Sequence, residues 1–528
     1  VSARPGDPEF ALQIGRRLKE SPGAIADFAA PFSSVLTDRQ SFIRIAIDGV
    51  GLGRVYRYET SRGVFISNRA VAAILLSGEV PGPCETGWAS QLMFGYFWDD
   101  LSPFDRVKTF KAGEHVTLAR NGVVRGSENA IKAWVDGEAE ALFEGFDRMV
   151  GEVQDAVSAP HLDVNLSGGR DSRATAAMMT AHMGDRVKLR TNYPPLVERD
   201  AVVPLVQSLP YFSRMEGDLA YSSDDRVIWQ ARRKGFATAT QGLMARARVH
   251  VRNYEGATLS THMIGGTHDA PLFSGGRIPL GIGGGGGEIS KAYGWAKSKN
   301  PAHVLRAMRE VKLTDRFRDF VLTSDQSKGM LTGNRFGSYF RPLLMQYRAE
   351  AGQSGLNGYK FLNYHYLMTR VGRAAGMGVI DQQVPLFMGP HHISAALRET
   401  PHNMARAAMH RTITDHYRPE WIGMAYEGEM HSDPARRVGV GARETIFAGP
   451  HAREFQRIIH NASWFGEPYD HSAILRVFGD QTVDPGVLNQ RGYDLLHRAA
   501  FMELLNQMKE LCRDDREPIM QHHQLPAA

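Results

Sequence analysis

Leu166-Ser167-Gly168-Gly169-Arg170-Asp171-Ser172 decides how this chain is read. The stretch follows alternating apolar residues, Leu162, Val164 and Leu166, and precedes Ala174, Ala176, Ala177, Met178 and Met179. The first pattern has the period of a strand, and the second reads as a helix packed on its neighbours. Strand, glycine-rich turn and helix together make a phosphate-binding geometry. Glycines let the main chain approach an anion closely, and the N–H groups at the helix start, with the positive end of its dipole, hold the charge. Asp171 does not serve a phosphate directly, because like charges repel. It fits a site in which Mg²⁺ lies between the two. An ordinary strand-to-helix turn is the blander reading and explains the Asp171-Ser172 pair less well.

Outward from this turn, strand and helix signals alternate over residues 160–300. A strand at 163–166 is followed by a helix, a strand at 187–191, a helix at 199–209 and a strand at 277–282 that ends in Gly283-Gly284-Gly285-Gly286-Gly287. That alternation predicts a parallel sheet with helices on its faces, and ligands in such sheets bind at the carboxyl ends of strands, where both glycine turns fall. A flexible surface loop is the alternative for the five glycines. Up to about residue 155 the chain carries short β-like runs at 42–47, 54–58, 63–67, 114–119 and 123–125, with Asn121-Gly122 as a hairpin-turn signal and a helix-like run at 69–76. A long helix is predicted over 138–157, with Ala141, Leu142, Phe146, Met149, Val150 and Val153 on one face. Beyond 300 the pattern is mostly helical, at 302–311, 358–377, 402–417 and 491–511.

The 528 residues suit two or three domains. Lys and Arg number 62 against 57 Asp and Glu, and no dense basic tract appears, so no nucleic-acid partner is expected. Cys84 and Cys512 are far apart and lack metal-ligand spacing, which fits a reducing cytoplasm. No apolar stretch is long enough to span a membrane and no signal-peptide pattern is present, so no membrane partner is expected. His391-His392 and His522-His523 have no metal-like partners at helical spacing and read as surface residues.

The Ser-Gly-Gly-x-Asp-Ser turn resembles that of the ATP pyrophosphatases, and its form is similar to the asparagine synthase family. The order of parts resembles that family over nearly the whole chain. Phe32 to Asp38, Gly51 to Tyr58 and Val64 to Arg69 are similar to the second half of its N-terminal nucleophile (Ntn) glutaminase domain, but no Cys stands near the start and the glutamine-binding loops have no counterpart. The chain begins at Val1, so upstream truncation competes with genuine loss of that half. The second glycine turn, Gly283 to Tyr293, aligns with the family's S-G-E-G-x-D-E-x-x-x-x-Y: Glu288 and Tyr293 match, whereas Gly284 replaces a catalytic Glu and Gly287 a metal-binding Asp. Ile380 to Phe387 resembles its V-E-x-R-x-P-F-L-D, with the acid kept as Asp381 and the Arg replaced by Gln383. Ala408 to Thr412, with Tyr417-Arg418-Pro419, resembles its K-x-x-L-R … Y-L-P; Arg411 matches, the Lys falls near Ala407, and Arg406 stands one position away.

The resemblance implies an α/β chain: a partial, β-rich α+β Ntn-type domain at 1–155, then an ATP-pyrophosphatase parallel-sheet domain with a helical C-terminal part at 156–528. It implies an ATP-dependent ligase that puts AMP on a carboxylate and lets an amine displace it, with ATP and Mg²⁺ as cofactors. Leu166, Ser167, Gly168, Gly169, Asp171, Ser172, Gly283, Gly284 and Gly285 are the expected ATP-binding residues. Asp171 and Glu288 are the expected metal ligands, and Arg406, Tyr293 and Asp381 the catalytic candidates. The expected partner is a small molecule or peptide bearing a carboxylate and an amine, as in β-lactam synthetases and lasso-peptide cyclases. Oligomeric state stays open, a homodimer being among the states allowed. Two rivals stand beside this reading: a nucleotide-binding member with degraded catalysis, and a truncated glutamine-dependent asparagine synthase.

Overall fold

The computed structural model describes residues 15–30, 32–37, 42–119, 122–137, 141–156, 162–193, 196–210, 227–231, 244, 247, 281–283, 285–291, 329–332, 339–358, 360–371, 383–426, 429, 452–479 and 485–513. Seven strands precede residue 130 among them: β1 (Ser33–Thr37), β2 (Phe42–Ile47), β3 (Tyr56–Thr60), β4 (Gly63–Ser67), β5 (Val107–Thr109), β6 (Glu114–Ala119) and β7 (Gly122–Ser127). They form two antiparallel sheets, ordered β1-β2-β6-β7 and β4-β3-β5. Ala119 faces Gly122 across the expected hairpin, whose Arg120 and Asn121 lie outside the described residues. After β2 the chain turns on Asp48, a fully buried carboxylate that accepts from the N–H groups of Val50 at 3.0 Å, Leu52 at 3.1 Å, Gly53 at 2.6 Å and Phe32 at 3.2 Å. Burial pushes that carboxyl up, and the four N–H donors work against the rise.

The helices of this part are α1 (Ala70–Ser77), α2 (Glu85–Phe94), α3 (Ala130–Asp136) and α4 (Leu142–Ala156). The helix predicted at 138–157 starts at Leu142, and its apolar face is buried at Phe146, Met149, Val150 and Val153.

A five-stranded parallel sheet follows, built from β8 (Leu162–Asn165), β9 (Val187–Tyr193), β10 (Val227–Ala231), β11 (Gly281–Gly283) and β12 (Gln383–Pro385). Its order is β10-β9-β8-β11-β12. The chain enters in the middle at β8, winds to one side through β9 and β10, and returns on the other side with β11 and β12. The order therefore reverses between β8 and β11, the place where an open parallel sheet leaves a crevice for ligands. Ile282 of β11 lies opposite Val164 of β8 and Val384 of β12. Helix α5 (Arg170–Met183) follows β8, and α6 (Leu196–Gln207) follows β9.

Among the later helices are α7 (Pro390–Arg398), α8 (Pro401–Arg406), α9 (Ala408–Tyr417) and α10 (Pro485–Arg513). The single helix predicted at 402–417 is thus two, broken at Ala407, which takes the left-handed conformation with φ 50°. The helix predicted at 358–377 is α-helical over Lys360–His365 and π-helical over Tyr366–Val371, with Gly358 in a turn before it; residues 359 and 372–377, and the helix predicted at 302–311, lie outside the described residues. Helix α5 packs on α4, α9 and β8 through Ala174, Ala176, Ala177, Met178 and Met179, all fully buried. Both large apolar cores draw residues from either side of position 155. In the second, α10 lies on α2: Gln91 donates to Asp494 at 2.9 Å, Arg498 bridges to Glu85 at 3.0 Å, and Arg491 donates to the Leu92 carbonyl.

Candidate functional site

The first glycine turn leaves the carboxyl end of β8, beside the point where the sheet order reverses. Leu166 points into the core and is buried, so only its main chain is free to meet a ligand. Ser167 and Ser172 tie the turn together. Their hydroxyls lie 2.6 Å apart, the Ser167 N–H donates to Ser172 Oγ at 3.0 Å, and the Gly169 N–H donates to Ser167 Oγ at 3.1 Å. Gly169 caps α5 without any side-chain bond, and Asp171 sits in the first turn of the helix, where its charge meets the positive end of the dipole.

The second turn leaves the adjacent strand β11. Gly286 has φ 91°, a left-handed conformation that favours glycine, and a Cβ there would crowd the flexible end of the Met388 side chain. Gly286 and Gly287 are buried, which replaces the surface-loop alternative at those two positions; Gly284 lies outside the described residues. The chain then enters a 3₁₀ turn, Gly287–Ser290, that carries Glu288 and ends at Lys291.

The two turns meet. Lys291 Nζ contacts Asp171 Oδ2, and His410 Nε2, from α9, contacts Asp171 Oδ1 at 2.6 Å. Burial alone would raise the Asp171 carboxyl; the hydrogen bond and charge of His410 and the ammonium of Lys291 outweigh it and bring the carboxyl down to about 2. Glu288 goes the other way, pushed up first by burial and then by the charge of Asp171. The charges of the two acids therefore interact, although burial is the larger cause of the rise at Glu288. Among the described residues no group of three or more His, Cys, Asp or Glu is arranged to hold a metal ion, and Lys291 and His410 stand on the two Asp171 oxygens.

Ser290, His410 and Asp171 follow the order of a nucleophile, base and orienting acid. Ser290 is nevertheless fully buried, donates to the Gly287 carbonyl at 3.0 Å, and stands 3.4 Å from His410 Nδ1 and from His392 Nε2. No substrate reaches it in this arrangement, and it serves to brace the second turn. His392 bonds the Phe387 carbonyl through Nδ1 at 2.8 Å and is driven down to about 3 by burial. The expectation that His391-His392 lie at the surface is thus wrong. Helix α7 packs on α4, where Gly145 leaves room for the His391 ring, since a Cβ there would sit 2.3 Å from its Cγ. His522-His523 lie outside the described residues.

Beside the first turn, Arg173, Arg170 and Arg411 surround the Tyr426 ring at 3.8, 5.3 and 5.6 Å from its centroid. Arg173 donates to the carbonyls of Met424 and Ala425 at 2.7 Å each, and Glu429 accepts from Arg411 at 2.5 Å. Arg406, expected to stand in for a lysine, ends α8 with an exposed side chain; its carbonyl accepts from Arg170 at 3.4 Å. Tyr293 and Asp381 lie outside the described residues. The structure brings Asp171 together with Lys291 and His410, neither of which sequence reasoning singled out. A lone Lys and a lone His in helix-like stretches carry no spacing signal, and only the meeting of the turns gives them meaning. No family model matches the chain, and no curated protein matches it.

Proposed function

We propose that this chain is an ATP-dependent, AMP-forming ligase that joins a carboxylate to an amine. The observation that carries the proposal is that two glycine turns, one leading to Asp171 and the other to Glu288, leave the carboxyl ends of the two strands flanking the sheet's reversal point. ATP would lie across that crevice, its phosphates on the N–H groups of the Ser167–Ser172 turn and of the described glycines Gly283 and Gly285. Asp171 and Glu288 would hold Mg²⁺, which when bound neutralises phosphate charge. The protein's own contribution is to align the carboxylate with the α-phosphorus and to stabilise the charge on departing pyrophosphate. The amine comes from a substrate or from ammonia.

Asp171→Asn tests this reading. The change keeps side-chain size and removes one metal ligand. Mg·ATP turnover should disappear while circular dichroism stays that of the wild type; normal turnover in the variant would overturn the assignment. A nucleotide-binding protein without turnover is the second reading, favoured by Lys291 and His410, which already satisfy both Asp171 oxygens. It is distinguished by bound ATP that no added acid converts to AMP.

A further inference from the structure

A cavity of about 190 Å³ lies between the turn that Asp48 holds, at Gly49–Gly51, and two later helices, Arg341–Gln353 and Lys360–His365. An apolar cavity of about 150 Å³ takes benzene, so this one has room for roughly six to eight heavy atoms. Three acids, Asp99, Glu128 and Glu350, line it against a single lysine, Lys111. We propose that the cavity is a binding site for a short aliphatic amine in its ammonium form, with Glu350 as the anion that receives it. The site stands apart from the ligase reading, since none of its lining residues belongs to either glycine turn.

The charges on the wall decide the class of ligand. Asp99 is already matched: Lys111 Nζ stands 2.9 Å from its Oδ2, and the Tyr347 hydroxyl donates to its Oδ1 at 2.8 Å. The Asp99 side chain is 6% exposed and that of Lys111 41%, so solvent reaches the cavity at the lysine. Burial alone would lower the Lys111 ammonium; Asp99, Asp100 and Glu350 outweigh it and raise it, so the lysine stays charged and on its own acid. Glu350 has no such match. It accepts from Gln346 Nε2 at 2.8 Å and from the Tyr364 hydroxyl at 3.3 Å, and both donors are neutral. Burial, and then the charge of Glu350, push the Tyr364 phenol up, so it keeps its proton and remains a donor. Among the described residues neither Glu350 nor Glu128 has an ion-pair partner. An anionic guest would be repelled and a neutral one would leave that charge standing, whereas an ammonium offsets it. Val50, Ile131 and Met368 give the methylenes of an amine an apolar wall, and the lining tyrosines favour a cation further.

The test titrates the full chain, without nucleotide and at neutral pH, with n-butylamine, n-butanol and butyrate, followed by calorimetry. The amine should bind saturably at one site per chain, and the alcohol and the acid roughly tenfold or more weakly. Glu350→Gln keeps the size of the side chain and removes its charge, and should weaken amine binding roughly tenfold. Glu128→Gln lowers the same field without touching the Tyr364 hydrogen bond, and should weaken it roughly threefold. Glu152→Gln removes one charge outside the lining and should leave the affinity unchanged. Absence of saturable binding would mean that the cavity holds water alone. Equal binding of amine and alcohol would mean an apolar hole without preference for charge. Unchanged amine affinity in either lining variant would place the ammonium elsewhere. Each of these three results would overturn the site, and none of them bears on AMP formation.

Discussion

Gly287 shows how much one absent side chain decides. A methyl group there would meet Asp171 Oδ1 at 2.3 Å and His410 Nε2 at 3.0 Å, prising apart the charge-assisted bond that fixes the carboxylate. Such bonds are worth about 1.5–3 kcal/mol. Gly287→Ala should therefore lower AMP formation roughly ten- to hundredfold with little change in far-ultraviolet circular dichroism, a result read from initial rates at saturating ATP. A variant with wild-type rate would mean that the Asp171–His410 contact is incidental. The departure of residue 287 from the acid of the resembling pattern looks like decay when the sequence is read alone. In the folded chain it is the space that His410 and Asp171 share, a dependence between positions more than a hundred residues apart that no local pattern reveals.

Elements differed in how plainly they could be read. The β6–β7 hairpin follows from its turn signal and α5 from its run of alanines and methionines, because a packed helix imposes its period directly on the residues, whereas β2 is buried over Ile45–Ile47 without alternation. The break between α8 and α9 left no mark. Neither Gly nor Pro stands at Ala407, yet it takes φ 50° and is buried, its N–H donating to the Asn403 and Met404 carbonyls. That break re-aims α9 so that His410 faces Asp171. A left-handed non-glycine residue costs roughly 1 kcal/mol, partly offset in a glycine variant by the freedom of the unfolded chain. Ala407→Gly should raise stability by about 0.5 kcal/mol, seen as a higher denaturation midpoint at unchanged slope. A lower midpoint would show that the methyl group's packing outweighs the strain.

At the scale of the whole molecule, alternating strand and helix signals pointed to a parallel sheet through β8, β9 and β11, whereas its β10 and β12 strands and the docking of α10 on α2 were not foreseen. That docking spans most of the chain, and its polar contacts read as ordinary charged helix positions. Asp494 lies buried between Arg491 and Gln91, and burial lifts its carboxyl to about 6 against the pull of both partners. A carboxyl raised in the folded state contributes stability that is full below its unfolded value of 3.8 and is lost as pH rises through about 6. The shift corresponds to about 3 kcal/mol. Asp494→Asn cannot ionise, so the stability difference between wild type and variant should move by about that amount from pH 4 to pH 7, in the variant's favour as pH rises. Denaturant titrations at the two pH values check this, and a constant difference would place Asp494 in a wetter setting.

The most direct measurement is to incubate the full chain with Mg·ATP and a pool of carboxylic acids and amines, and to resolve the nucleotide products. The account predicts AMP and pyrophosphate, formed only when an acid is present and lost in Asp171→Asn. Formation of ADP, or of AMP that ignores both the acids and the substitution, would contradict it.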